Sequence, residues 1–397
     1  MDTMSGRNTR IGAAAAAAAV CLAVAGPAAA PAYADGHGQH HAAPAPAAAG
    51  GPLLNRPGVQ VLPRAGAPRL PENLSARSWM VTDARTGEVL AAKDAHWRLA
   101  PASTLKTLFA VTVLPRLPQS ALHQVSAQDL AGMGEGSSKV GIQPGKRYAV
   151  SDLWHGVFLS SGNDAVRALA AMNGSMPLTV RQMQDKASDL GARDTHVVSA
   201  DGYDAPGQVS SAYDLSLFAL EGLSNPDFVR YSSTGRAMFP MGRKPNGEEN
   251  GHFQIQNTNR LLVGAPGLPP YPGLIGVKNG YTSRAGNTLV AAARRDGRTL
   301  VTTVMNPGSG IPNAVYHEAA ALLDWGFDSV GRVDPVAMVR TPRTAGGGYG
   351  HAHHGAPGFS QGVGALPWAA GSVGALALVG GVLGLWRRRR HARGGVL

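Results

Sequence analysis

The hydrophobic and polar positions of this chain predict strands near both ends of a long central segment, with helices between them. Two apolar segments on either side of a turn at residues 83–87 predict a hairpin from strands 78–82 and 88–92. Apolar positions on one face predict a helix that begins at Ser103, and the middle of the segment is mostly helical by the same criterion. Three more strands and a last helix are predicted at 274–278, 288–294, 299–305 and 314–325, and Asp296-Gly297 predicts a two-residue turn between the last two strands. This order predicts an α+β fold, an antiparallel five-stranded sheet flanked by helices plus an all-helical region.

The N-terminal residues are typical of an exported protein. Residues 1–34 combine an arginine-containing start, an apolar run and the small-residue cleavage site Ala32-Tyr33-Ala34, which predicts a signal peptide. Residues 35–68 are rich in Ala, Pro, Gly and His and are predicted to be a disordered linker. The single cysteine, Cys21, lies in the signal, so the mature chain is expected to use neither disulfides nor thiolate chemistry.

The C-terminal residues predict a membrane anchor. Residues 336–365 form a Gly/His-rich stalk, and residues 366–386 are 21 residues without a charge, long enough for a transmembrane helix. The basic tail at 387–397 is expected in the cytoplasm by the positive-inside rule. Residues 69–335 would then form a single domain on the outside of the cell membrane.

The net charge of +11 does not indicate a nucleic-acid partner, because it is concentrated in the tails. Residues 69–335 contain 25 Lys and Arg against 23 Asp and Glu, a net of only +2. The histidines of the linker and stalk have no fixed geometry, so no metal and no cofactor is predicted.

Three short motifs carry the candidate chemistry. Ser103 and Lys106 are three residues apart on a helix, so a hydroxyl and an amine share one face, and a lysine with a lowered pKa can activate a serine nucleophile. Ser161-Gly162-Asn163 offers a hydroxyl for proton relay and an amide that can hold a substrate carbonyl and a lysine. Lys278-Asn279-Gly280 ends a predicted strand, where the lysine can attract a carboxylate and the glycine allows a substrate backbone to approach.

In this order, the three motifs resemble the signature of serine penicillin-recognising enzymes. The surrounding segments are similar to those of low-molecular-mass serine D-alanyl-D-alanine carboxypeptidases. They lie at residues 100–106, 159–165, 201–203, 257–262, 276–282 and 323–327.

The resemblance implies a catalytic domain that removes the terminal D-alanine from peptidoglycan stem peptides ending in D-Ala-D-Ala. It also implies acylation by β-lactam antibiotics. The implied roles are Ser103 as acyl-ester nucleophile, Lys106 as general base and Ser161 as proton relay beside Asn163. Substrate would be bound by Lys278, Asn279 and Gly280, with the backbone N–H groups of Ser103 and Tyr281 as the oxyanion hole.

Two features depart from the family, and three alternative functions remain open. Asn279 stands where the family has Thr or Ser, and the C-terminal β-sandwich of many members is expected to be absent. One alternative is a DD-endopeptidase that cuts peptidoglycan cross-links. Another is a β-lactamase, because Glu221 to Asn225 imitate the glutamate–asparagine spacing of such enzymes, although this segment is predicted to end a helix. The third is a catalytically decayed wall-binding protein.

Overall fold

The computed structural model describes residues 49–339, apart from residues 245 and 249. Eight α-helices are assigned in this part of the chain: α1 Lys106–Val113, α2 Val150–Leu159, α3 Asn163–Met172, α4 Met176–Asp189, α5 Ala212–Leu223, α6 Pro226–Ser233, α7 Arg260–Val263 and α8 Ala314–Ser329. Twelve strands accompany them: β1 Val59–Pro63, β2 Ala76–Asp83, β3 Glu88–Lys93, β4 Leu122–Gln124, β5 Arg147–Ala149, β6 Arg236–Pro240, β7 His252–Gln256, β8 Leu274–Thr282, β9 Gly286–Arg295, β10 Arg298–Pro307, β11 Val333–Asp334 and β12 Ala337–Met338. Short 3-10 helices cover Pro52–Asn55, Ala102–Leu105 and Leu114–Arg116.

The main sheet is antiparallel and has the strand order β11-β1-β3-β2-β10-β9-β8, with β12 also paired to β3. The five predicted strands are neighbours in it, as β3-β2-β10-β9-β8, so the α+β class is confirmed. The predicted count of five was too low, because the sheet has eight strands. Between β9 and β10, Asp296 and Gly297 both have positive φ, as the predicted two-residue turn requires.

Both faces of the sheet are buried, which explains the continuous apolar run in β9. Leu289, Ala291 and Ala293 belong to the core beneath α8, whereas Val290 and Ala292 belong to the core shared with the helical region. Successive side chains of a strand point to opposite faces, so one strand serves both cores. The edge strand β8 pairs with β9 along its whole length, and the candidate site lies beside β8.

The predicted linker boundary was wrong, because the folded domain begins before residue 69. Strand β1 pairs with β3 and β11, and Leu54, in the preceding 3-10 helix, is only 2% exposed. At the other end, β12 pairs with β3, so the domain also continues past residue 335. These short strands gain their hydrogen bonds only from distant partners, and local composition therefore does not reveal them.

The helical region covers one face of the sheet and includes two small hairpins, β4-β5 and β6-β7. Within residues 49–339, no helix combines the length and apolar character needed to cross a membrane. The predicted signal peptide, the span 366–386 and the basic tail lie outside the described residues.

Candidate active site

Ser103 lies in the 3-10 turn Ala102–Leu105, which continues directly into α1. Lys106 follows one turn later, and its Nζ donates a hydrogen bond to Ser103 Oγ at 2.8 Å. The three-residue spacing therefore brings the hydroxyl and the amine into contact, as helical geometry requires.

Lys106 is held by two further acceptors from distant parts of the chain. Its Nζ donates to Asn163 Oδ1 at 2.8 Å and to the backbone oxygen of Asp201 at 2.6 Å. The side chain is only 1% exposed, so its position is determined by these contacts rather than by solvent. Ser103, Lys106 and Asn163 form one hydrogen-bonded group as a result.

Burial changes the acidity of this amine. Desolvation lowers the pKa of Lys106 from its ordinary value to about 8, and the negative charges of Asp201 and Asp164 oppose that shift only partly. An uncharged amine is thus accessible near physiological pH, which a general base requires.

We expect acylation of Ser103 to depend on pH through this lysine. Below a pKa of about 8 the ammonium form dominates, so the acylation rate should fall about tenfold for each pH unit. The measurement is the second-order rate constant for penicillin acylation, followed between about pH 6 and pH 10. A rate that stays level, or falls as the pH rises toward 8, would contradict the assignment of Lys106 as base.

Ser161 precedes Asn163 and the start of α3 by two residues. It has a φ of 55°, a conformation that costs on the order of 1–3 kcal/mol for a residue other than glycine. Its side chain is buried, and Oγ has no hydrogen-bond partner among the described residues. A buried hydroxyl without a partner, held in a strained turn, is available to a substrate or to a transferred proton.

Strand β8 approaches Ser103 at Gly280. A Cβ atom at this position would lie 2.7 Å from the backbone nitrogen of Ser103 and 2.7 Å from Thr288 Oγ1. The glycine of the third motif therefore allows β8 to pack against the turn of Ser103. This close approach is within the protein, whereas the sequence had assigned the glycine to substrate approach.

Replacing Gly280 with alanine should consequently separate β8 from Ser103. A displacement of about 1 Å at a reacting centre costs about a hundredfold in rate, so we expect a loss of that size in penicillin acylation. Gly308→Ala is the matched control, because a Cβ there has Ser75 O as its nearest neighbour, at an ordinary 3.8 Å. Equal acylation rates for the two folded variants would show that the contact at Gly280 does not position the nucleophile.

Lys278 and Asn279 precede Gly280 in β8. Lys278 is 1% exposed, and its Nζ donates to Asn279 O at 2.8 Å and to Asn279 Oδ1 at 3.3 Å. Burial, and then repulsion by the charge of Lys106, lower the pKa of Lys278 well below its ordinary value. Asn279 Oδ1 also accepts from Thr258 Oγ1 at 3.1 Å, so the donors of this amide are the N–H groups on its nitrogen, which also hydrogen-bonds the Tyr316 hydroxyl.

Two loops complete a cleft of about 230 Å³ around Ser103 and Asn163. Tyr203 Oη donates to Glu135 O at 2.9 Å, and Thr282 Oγ1 donates to Asp204 at 2.7 Å, so the loops are tied to each other and to β8. Tyr281, which is 68% exposed, also lines this cleft. Tyr281 and Ser103 therefore line the same cleft.

Glu221, the residue that imitates a β-lactamase glutamate, lies elsewhere. It is near the end of α5, which stops at Leu223, and its carboxylate pairs with Lys186 of α4 at 2.5 Å. It does not line the Ser103 cleft, so it is not placed to activate water there.

The sequence did not assign roles to Asp201, Gly202 and Thr258, although each lies in a segment that carried the resemblance. A Cβ at Gly202, where φ is +80°, would lie 2.0 Å from Ala102 O. Only glycine therefore lets this loop present the Asp201 carbonyl to Lys106. No local pattern reveals such a contact, because it joins segments 95 residues apart.

Comparison with known proteins agrees with this geometry. Residues 64–309 match the D-alanyl-D-alanine carboxypeptidase family. The chain is 38% identical over 267 residues to D-alanyl-D-alanine carboxypeptidase DacB2 of Mycobacterium tuberculosis, covering 66% of this chain and 86% of that protein. It is 34% identical over 269 residues to DacD of Escherichia coli, but spans only 64% of that protein's length.

Solved structures give the same result. A D-alanyl-D-alanine carboxypeptidase from Mycobacterium tuberculosis superposes with a TM-score of 0.61 at 36% identity, covering 71% of this chain and all of that one. A Streptomyces DD-transpeptidase superposes with a TM-score of 0.59 at 27% identity, covering 66% of this chain and 99% of that one. The chain therefore belongs to the D-alanyl-D-alanine carboxypeptidase family of serine peptidases.

Proposed function

We propose that this protein removes the terminal D-alanine from peptidoglycan stem peptides, with Ser103 as nucleophile and Lys106 as general base. The observation that carries the proposal is the set of three contacts at Lys106 Nζ, to Ser103 Oγ, Asn163 Oδ1 and Asp201 O. The ammonium form donates to all three oxygens, whereas the neutral amine that acts as base has two hydrogens and one lone pair. The carbonyl oxygens of Asn163 and Asp201 take the hydrogens, so the lone pair faces the hydroxyl of Ser103.

The reaction then proceeds in two steps, formation of an acyl-serine and its hydrolysis. Ser103 Oγ bonds to the carbonyl carbon between the two alanines as its proton passes to Lys106. The carbon–nitrogen bond breaks, and the proton taken up by Lys106 passes to the leaving amine through Ser161, whose hydroxyl has no other partner among the described residues. Water then attacks the acyl carbon as its proton passes to the neutral Lys106. The bond from that carbon to Ser103 Oγ breaks, the proton returns from Lys106 to Oγ, and the shortened peptide is released.

The substrate's charged groups meet donors at both ends of the site. The oxyanion that forms at the attacked carbonyl would accept from the N–H groups of Ser103 and Tyr281, which the close packing of Gly280 brings into one cleft. The terminal carboxylate would lie at Lys278 and the amide of Asn279. Penicillins resemble the same dipeptide and would acylate the same serine.

The Asn279 amide should be able to replace the hydroxyl usual in the family. We expect Asn279→Thr to release D-alanine as fast as the parent or faster. Asn279→Leu, which keeps the volume but removes the donor, should lower kcat/KM about tenfold or more, since a hydrogen bond to a charged group contributes about 1.5–3 kcal/mol. Undiminished kcat/KM in the leucine variant would remove Asn279 from the carboxylate site.

We also propose that the enzyme is exported and held in the cell membrane by a single C-terminal helix at residues 366–386, with residues 69–335 outside. Support comes from the signal-like N-terminus, the uncharged 21-residue stretch and the arginines that follow it. Fractionation of cells that express the full chain tests the anchor. Recovery of the intact protein in the aqueous fraction would contradict it.

The central test uses the full chain and an acyl-D-Ala-D-Ala peptide. We expect stoichiometric release of D-alanine, and covalent attachment of a labelled penicillin to the proteolytic peptide that contains Ser103, identified by its mass. Attachment at a different residue, or no release of D-alanine by folded protein, would refute the proposed function.

A further inference from the structure

A second and larger cavity lies on the other side of the β8 terminus. Its volume is about 840 Å³, and it shares Tyr281 with the Ser103 cleft. Its walls come from Thr258, from Arg260 of α7, from Asn279 and from Tyr316 of α8. The proposed reaction, as described, uses only the edge of this space.

The cavity adjoins the Ser103 cleft near the end of β8. Gly280 lines it and also packs against Ser103, and Asn279 lines it while accepting from Lys278. Thr258 N donates to Leu159 O at 2.9 Å, which ties this wall to the segment just before Ser161. If the terminal carboxylate lies at Lys278 and Asn279, the side chain of the leaving residue is directed into this cavity.

The cavity is much larger than D-alanine needs. The side chain of that residue is a single methyl group, whereas pockets for drug-sized ligands measure about 300–1,000 Å³. The volume therefore accommodates a leaving residue with a long side chain.

The lining also indicates which side chain fits. It is rich in amide and hydroxyl groups, which complement peptide groups, and none of the described residues that line it is acidic. Arg260 is exposed, and among the described residues its guanidinium donates one hydrogen bond, from Nη1 to Asn313 Oδ1 at 2.5 Å. The guanidinium has five N–H donors, so those not bonded to Asn313 can donate to a carboxylate.

We propose that this cavity is a subsite for the side chain of the leaving residue, and that it accepts extended, polar D-amino acid residues bearing a carboxylate, with Arg260 as the recognising cation. The inference rests on the proposed function. A cross-linked stem peptide has this chemistry, because the side chain of its leaving residue continues into a second peptide. The bonds made and broken are those of D-alanine release, and only the leaving amine differs.

The test compares three acyl-D-Ala-D-Xaa peptides with the purified full chain. The last residue is D-alanine, D-2-aminoadipate or D-norleucine; the last two have side chains of similar length and differ in the carboxylate. We expect kcat/KM for the aminoadipate peptide to exceed that for the norleucine peptide about tenfold or more, as a charge-assisted hydrogen bond would give. Arg260→Gln should reduce that ratio to about one, whereas Arg294→Gln, an arginine on a separate cavity, should keep it.

The possible outcomes distinguish a failure of the subsite from a failure of the proposed carboxypeptidase function. Release of D-alanine together with a loss of about a hundredfold or more for both longer residues would overturn the subsite while leaving the carboxypeptidase intact. An aminoadipate preference that persists in Arg260→Gln would overturn the role of Arg260. No release from any of the three peptides would overturn the proposed function and this inference with it.

Discussion

Replacing Ser103 with alanine should abolish both D-alanine release and penicillin attachment. The variant lacks the oxygen that forms the acyl-enzyme. The other described partners of Lys106, the Asn163 amide oxygen and the Asp201 backbone oxygen, are not nucleophiles and cannot replace it. Loss of a nucleophile in a serine hydrolase lowers kcat by about 10⁴–10⁶-fold, and a fall of that size would leave release below detection. The measurements are D-alanine release from an acyl-D-Ala-D-Ala peptide and the mass of penicillin-treated protein.

The fold should survive this change, because Ser103 Oγ contributes one hydrogen bond, which is worth about 1 kcal/mol. Thermal unfolding of the variant checks this. Ser188→Ala on α4 is the matched control, since its hydroxyl bonds only the backbone of its own helix among the described residues, and it should retain parental activity. Residual turnover above a few per cent of the parent's in Ser103→Ala would identify a different nucleophile.

Replacing Lys106 with methionine should be almost as damaging. The base and nucleophile act as a unit, so we expect a loss of about 10³-fold or more in the acylation rate, and little further loss when Ser103→Ala is added. Lys106→Arg keeps a cation and its donors but cannot give up its proton, so it should be inactive as well. The measurement is the rate of penicillin acylation in each variant.

The arginine variant distinguishes a base from a structural cation. If Lys106 served only to hold Asn163 and Asp201 together, arginine would restore a large part of the rate. Lys186→Met, which breaks a lysine–glutamate pair far from the cleft, should leave acylation unchanged. Substantial acylation in Lys106→Arg, with its unfolding temperature near the parent's, would contradict a proton-accepting role.

The sequence anticipated the elements whose pattern is local. Apolar runs bounded by turn residues anticipated β2, β3, β8, β9 and β10, and the Asp296-Gly297 pair anticipated the left-handed backbone of a two-residue hairpin turn. The sequence did not anticipate β1, which lies in a stretch rich in Ala, Pro and Gly, or the two-residue strands β11 and β12. These three strands are stabilised by pairing with β3 or with each other.

The same division applies to the site. The sequence by itself determined that Ser103 and Lys106 face each other, because three residues of helix place two side chains on one side. The sequence also suggested that the Asn163 amide could hold a lysine, but only the tertiary structure decided that Asn163 and the Asp201 carbonyl, 57 and 95 residues away, hold Lys106 in a buried position. The pKa of a buried amine depends on which distant segments exclude water from it, and no spacing along the chain encodes that desolvation.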